Sequence, residues 1–237
     1  MYQYHYQRPT PHLLFDIAQS KMYDNEAVNI FGFNRVVGTS FETLWNDGGD
    51  YVFPTSAVTM DLVSTSTSDT MSVLVKGLDA NYNEISETVT LTGTVAVTTS
   101  ASFLRINSAI ILSGSNVGGI TISNGGTTYG FIEAELGTTQ SCIYTVPADR
   151  SLYLFRIDFN SATVNPNKYL TVRNKLRSDA GRILHVAEAT FATSQVSYDR
   201  QVPFKITEKT DFQFQAKSSS GTNEVAVFVE AVQVKNQ

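Results

Sequence analysis

Oxygen-bearing side chains gathered around glycines can hold a calcium ion, and Trp45-Asn46-Asp47-Gly48-Gly49-Asp50 offers such a set. The stretch lacks the D-x-D-x-D spacing and closing glutamate of a calcium loop, so it reads as a turn between Trp45 and Tyr51. Glu84 with Glu87 and Glu133 with Glu135 are the carboxylate pairs that acid–base catalysis could use. Glu133 and Glu135 lie two apart in a strand-like run and should share a face, but outward solvated side chains account for them equally well. His5, His12 and His185 are scattered, with no H-x-x-x-H spacing, and the single cysteine, Cys142, excludes an internal disulfide or a cysteine metal cluster. Gly114-Ser115-Asn116-Val117-Gly118-Gly119 is followed by no Gly-Lys-[ST], and no G-x-S-x-G elbow occurs. These residues predict no catalytic centre, no metal and no cofactor, and hence a protein that is not an enzyme.

Binding is the chemistry that remains. Tyr2, Tyr4 and Tyr6 alternate with Gln3, His5 and Gln7, which gives a strand with one aromatic face, and Pro9 and Pro11 then hold the path extended. Tyrosine supplies large contact area with a polar tip, so these three are candidate partner contacts. Arg173, Lys175 and Arg177 alternate too and would place three positive groups on one strand face; a solvated face is the competing reading. The net charge of -5 argues against nucleic acid as a partner. Residues 51–140 carry two basic and seven acidic side chains, against twelve and nine in residues 141–237, a split that could orient one copy on another. No stretch reaches the length of a membrane span, and MYQYHYQRPT lacks the apolar run of a secretory leader, so no membrane partner is expected.

The elements that must position these residues are strands. Charged residues make up only 16%, while Ser and Thr fill 50 positions, which suits pleated surfaces and turns. Leu13–Tyr23 could form one short helix; from Phe41 onward apolar faces recur at period two between Gly, Asn and Asp turns. Leu104, Ile106, Ile110 and Leu112 read as one face, as do Tyr153, Phe155, Ile157 and Phe159, and again Phe212, Phe214 and Ala216. Gly77–Asn81 and Asn124-Gly125-Gly126 read as hairpin turns. The run 224–234 is apolar on both faces and belongs inside a sheet. The expected fold is all-β, an antiparallel, jelly-roll-like β-sandwich arrangement with an arm over 1–35, a first domain over 36–140 and a second over 141–237.

Phe33-Asn34-Arg35-Val36-Val37-Gly38-Thr39-Ser40-Phe41-Glu42-Thr43-Leu44-Trp45, Asp50-Tyr51-Val52-Phe53-Pro54, and Gly77-Leu78-Asp79 followed by Glu87-Thr88-Val89-Thr90-Leu91 form a pattern with the later Ile143-Tyr144-Thr145-Val146-Pro147-Ala148, Val202-Pro203-Phe204 and Lys209-Thr210-Asp211. This pattern resembles virion structural proteins of tailed bacteriophages. The resemblance implies β-sandwich folding, a place on the capsid exterior as a cement (decoration) protein, the major capsid protein as partner and a homo-oligomer such as a trimer. It carries no catalytic residues. The alternative is a tail- or fibre-associated protein whose exposed Trp45 and Tyr51 stack on host glycans.

Overall fold

The computed structural model describes residues 12–19, 21–22, 24–162 and 168–236. Tyr2, Tyr4 and Tyr6 therefore lie outside the described residues. A helix α1 (His12–Ala18) precedes β1 (Asn25–Val37) and β2 (Glu42–Thr43). Then come β3 (Asp61–Ser64), β4 (Ser72–Leu78), β5 (Glu84–Thr90), β6 (Val97–Thr98), β7 (Arg105–Ile111), β8 (Ile120–Asn124) and β9 (Thr127–Ile132). The chain continues through β10 (Ile143–Thr145), β11 (Arg150–Ser161), β12 (Leu170–Arg177), β13 (Ile183–Phe191), β14 (Gln195–Ile206), β15 (Asp211–Ser218) and β16 (Asn223–Lys235). The all-β, antiparallel expectation holds.

Two sandwiches share the chain. The larger sets the sheet β1-β16-β11-β14 over the sheet β10-β15-β12-β13, with β2 beside β15. Numbering its eight long-range strands in chain order gives 1-8-3-6 facing 2-7-4-5. That is the order obtained by rolling one long antiparallel hairpin over itself, a jelly roll. Its interior is filled by Leu152, Leu154, Phe159, Val172, Phe212, Phe214, Val227 and their neighbours. The run 224–234 is central as expected, because β16 is flanked by β1 and β11. The smaller sandwich packs β6-β3-β8-β9 on β5-β4-β7 around Met60, Leu62, Val73, Val75, Phe103, Ile120 and Ile122. Both hairpin turns read from the sequence are present, between β4 and β5 and between β8 and β9.

Strand pairing cuts across the boundaries read from the sequence. β1, whose residues 25–35 fell in the expected arm, pairs with β16 from Asn25↔Val234 onward, and β2 pairs with β15. The larger sandwich thus takes strands from both sides of the smaller one, which is an insertion between β2 and β10. Local charge and turn residues mark where a chain bends, but not which distant strand completes its sheet. Trp45 and Ser141 form an antiparallel bridge where the insertion leaves and returns, so its ends adjoin. The helix also ends earlier than the expected Leu13–Tyr23, with Asp24 in the left-handed region at φ 65 ahead of β1.

Candidate functional site

Trp45 and Tyr51 are 5% and 4% exposed, and pack edge to face with ring centroids 5.1 Å apart. With Phe53 and Ile143 they form a small apolar cluster between the sandwiches. They offer no stacking platform for a sugar, which corrects the expectation that these two rings are exposed; rings this apolar gain more by filling a domain junction. The turn after Trp45 closes with Gly48 and Gly49 at φ 77 and 70. Asp50 Oδ1 accepts from Gln215 Nε2 at 2.6 Å and from Thr43 Oγ1 at 3.0 Å. This carboxylate anchors the turn to the polar outer face of β15.

A buried ion pair ties the sandwiches together. Arg105 of β7 places Nε 2.6 Å and Nη2 3.0 Å from the two carboxylate oxygens of Asp211 on β15. Its Nη1 donates to the carbonyls of Pro54 and Leu104, and Thr145 Oγ1 donates to Asp211 Oδ1 at 2.8 Å. Each charge in this buried junction is thus satisfied by more than its opposite. Losing one partner of such a pair costs about 3–5 kcal/mol. Asn107 adds a second tie, exchanging two hydrogen bonds with the backbone of Thr145.

Three of the four paired carboxylates have structural partners. Glu133 binds Arg35 at 3.3 Å, and Arg35 reaches Glu224 at 3.2 Å. β9 ends at Ile132, so Glu133 and Glu135 lie in a turn and do not share a strand face; Glu135 sits at φ 69. Glu87 accepts the N–H groups of Ser100 and Ala101, while Glu84 accepts from Gln233. Burial pushes the Cys142 thiol well above its ordinary pKa, which keeps it protonated and unreactive.

Arg173, Lys175 and Arg177 do share the outward face of β12. Arg173 donates from Nε to Gln215 at 2.8 Å and stands 3.7 Å over the Phe41 ring; Lys175 lies 3.9 Å from Asp50. Two of the three cations are therefore held against the chain's own groups. His185, opposite Lys175 on β13, has its pKa lowered by burial and by the charges of Arg173 and Lys175, with Glu188 opposing.

The feature that sequence reading missed is an open edge. β13 and β14 follow one another in the chain but lie in different sheets, and among the described residues each is bonded on one side only. Ile183, Leu184, Val186, Tyr198 and Val202 are exposed along them, Val202 to 80%. Period-two counting marks these strands as ordinary half-buried ones; only the topology leaves both at the rim.

No family model matches this sequence, and no curated protein matches it. Among solved structures, the chain is similar to that of the infectious bursal disease virus Gt strain at 8% identity, covering 96% of this chain and 83% of that one, with a TM-score of 0.23. The Gx strain structure gives 12% identity, 99% and 79% coverage and a TM-score of 0.23. The VP2 subviral particle of the same virus gives 9% identity, 96% and 83% coverage and a TM-score of 0.21. Scores this low do not establish a shared fold, and the jelly-roll order stands on the strand pairing alone.

Proposed function

We propose that this chain is a structural component of a virus particle, a cement protein that binds the major capsid protein on the outside of a tailed-phage head as a homo-oligomer. The observation that carries this reading is the strand order of the larger sandwich, since eight-stranded jelly rolls recur in viral capsid proteins. Lectins and cupins use the same architecture, so the site must decide. Here the sandwich interior is packed with apolar side chains, and among the described residues no group of three His, Cys, Asp or Glu is placed to hold a metal. Two unpaired edge strands with exposed apolar side chains suit a subunit that is covered by a neighbour, because a bare edge of this kind invites pairing. The resemblance of 33–237 to tailed-phage virion proteins supports a place on the particle.

Quantitative mass spectrometry of purified particles tests this reading. Hundreds of copies per particle are expected, together with loss of particle binding by a folded chain lacking residues 1–12. A dozen copies or fewer would place the chain in the tail, and absence from particles would overturn the proposal.

A further inference from the structure

Between β13 and β14 the two sheets of the jelly roll part, leaving a cleft of about 230 Å³. Its walls include Leu154, Ile157, Phe159, Val172 and Phe214, so it reaches the core from the rim. A cavity of about 150 Å³ admits benzene, whereas drug-sized ligands need roughly 300–1,000 Å³. The cleft therefore fits one substituted ring and little more.

Asn174 gives this ring a chemical identity. Its side chain lines the cleft and is 4% exposed, yet among the described residues Oδ1 has no hydrogen-bond partner. A buried carbonyl left unpaired costs about 1–3 kcal/mol, so the wall is set to gain from a hydroxyl. A phenol both donates and accepts, and satisfies the carboxamide in either orientation. The lips of the cleft are sheet edges with free backbone groups, and an extended segment laid along one would gain main-chain bonds while turning alternate side chains into the gap.

We infer that the cleft receives a tyrosine from the Tyr2–Gln7 segment of a second copy. This rests on the reading of the chain as an assembling subunit and names where one copy grips the next. Tyr2, Tyr4 and Tyr6 supply rings with hydroxyls at the period of an added strand. α1, which follows this segment, packs on β1, and β1 and β14 are opposite edges of one sheet. An exchanged arm of this kind builds rings, a trimer among them, or a reciprocal two-fold dimer.

Sedimentation velocity on the full chain and its variants tests the contact. Tyr→Phe at one of positions 2, 4 and 6 should weaken association about tenfold, or about 1.4 kcal/mol, and Asn174→Leu should weaken it equally. Combining the two should cost no more than either alone, since both remove the same bond. At dilutions where both chains are monomeric, Asn174→Leu should melt no lower than the wild type, because it removes an orphaned polar atom. Val186→Trp, which fills the cleft from an exposed position, should abolish association and leave the monomer's melting intact. Additive losses, three neutral Tyr→Phe variants, or a Val186→Trp chain that still associates would each overturn the contact while leaving the particle assignment standing. A wild-type chain that stays monomeric and is absent from particles would sink both.

Discussion

Asp69 shows how much depends on one side chain in the inserted sandwich. Its carboxylate is buried and accepts from Ser64 Oγ at 2.5 Å and from the N–H groups of Val117 and Gly118 at 2.8 and 2.9 Å. Burial raises its pKa, but these hydrogen bonds together outweigh burial and hold it below the ordinary carboxylate value. A lowered folded pKa means that the unfolded chain binds the proton first. The stabilisation is therefore full above the unfolded pKa of about 3.9 and is lost as pH falls through the lower folded value. Asp69→Asn should lower the melting temperature at pH 7 by roughly 5 °C or more, and the gap between variant and wild type should close below about pH 4. Calorimetry across pH 2.5–7 measures both; a gap independent of pH would remove Asp69 from this role. Neither Asp69 nor the Arg105–Asp211 pair was legible in the sequence. Asp69 sits in a Ser/Thr run, and its two backbone partners are 48 and 49 residues away, while Arg105 and Asp211 are 106 apart.

At the scale of elements, the sequence yields strand positions well and strand faces less well. Phe212, Phe214 and Ala216 are all buried, as their alternation implies. The alternation in β11 fails partway: Leu152 and Leu154 point inward, then Ile157 and Phe159. A bulge between Leu154 and Arg156 inserts one residue in the ladder to β16 and swaps the faces, and the register to β14 breaks at the same place, where the partner passes from Phe204 to Asp199. Tyr153 and Phe155 therefore do not join Ile157 on one face. β7 repeats the lesson, since its register against β4 shifts after Ile106 and leaves Ile110 44% exposed; Leu112, just past the strand, is 53% exposed. Unbroken period-two counting cannot register a residue that belongs to neither face. The close crossing at Gly32 of β1 was equally hidden. A Cβ there would lie 2.1 Å from the Cys142 nitrogen and 2.4 Å from the Leu44 carbonyl oxygen, both backbone atoms at the point where the insertion leaves and returns. Gly32→Ala should destabilise the larger sandwich by about 1–3 kcal/mol or more, read from the midpoint of urea unfolding. An unchanged midpoint would mean that β1 can lift away without cost.

The whole molecule is a jelly roll carrying a second sandwich on a polar outer face. Each part has its own apolar core, and the insertion's ends meet at Trp45↔Ser141, so the larger sandwich should survive without its guest. Electrostatics decide whether that holds. Asp211, Gln213 and Gln215 are buried with the insertion in place, and Arg105 and Asp50 are among the groups that compensate them. Removing residues 46–140 takes these compensating groups away. It also takes away the cover, returning the carboxylate and the amides to water, where they need no protein partner. The remaining cost is apolar: Trp45 and Ile143 lose the rings of Tyr51 and Phe53. A chain in which a two-residue Asn-Gly turn joins Trp45 to Ser141 should therefore keep its β-sheet circular dichroism and unfold in one cooperative transition. It should also be less soluble than the full chain. Trp45→Ser in the shortened chain should restore solubility without changing cooperativity. Non-cooperative melting of both shortened chains would mean that the insertion organises the jelly roll as well as riding on it.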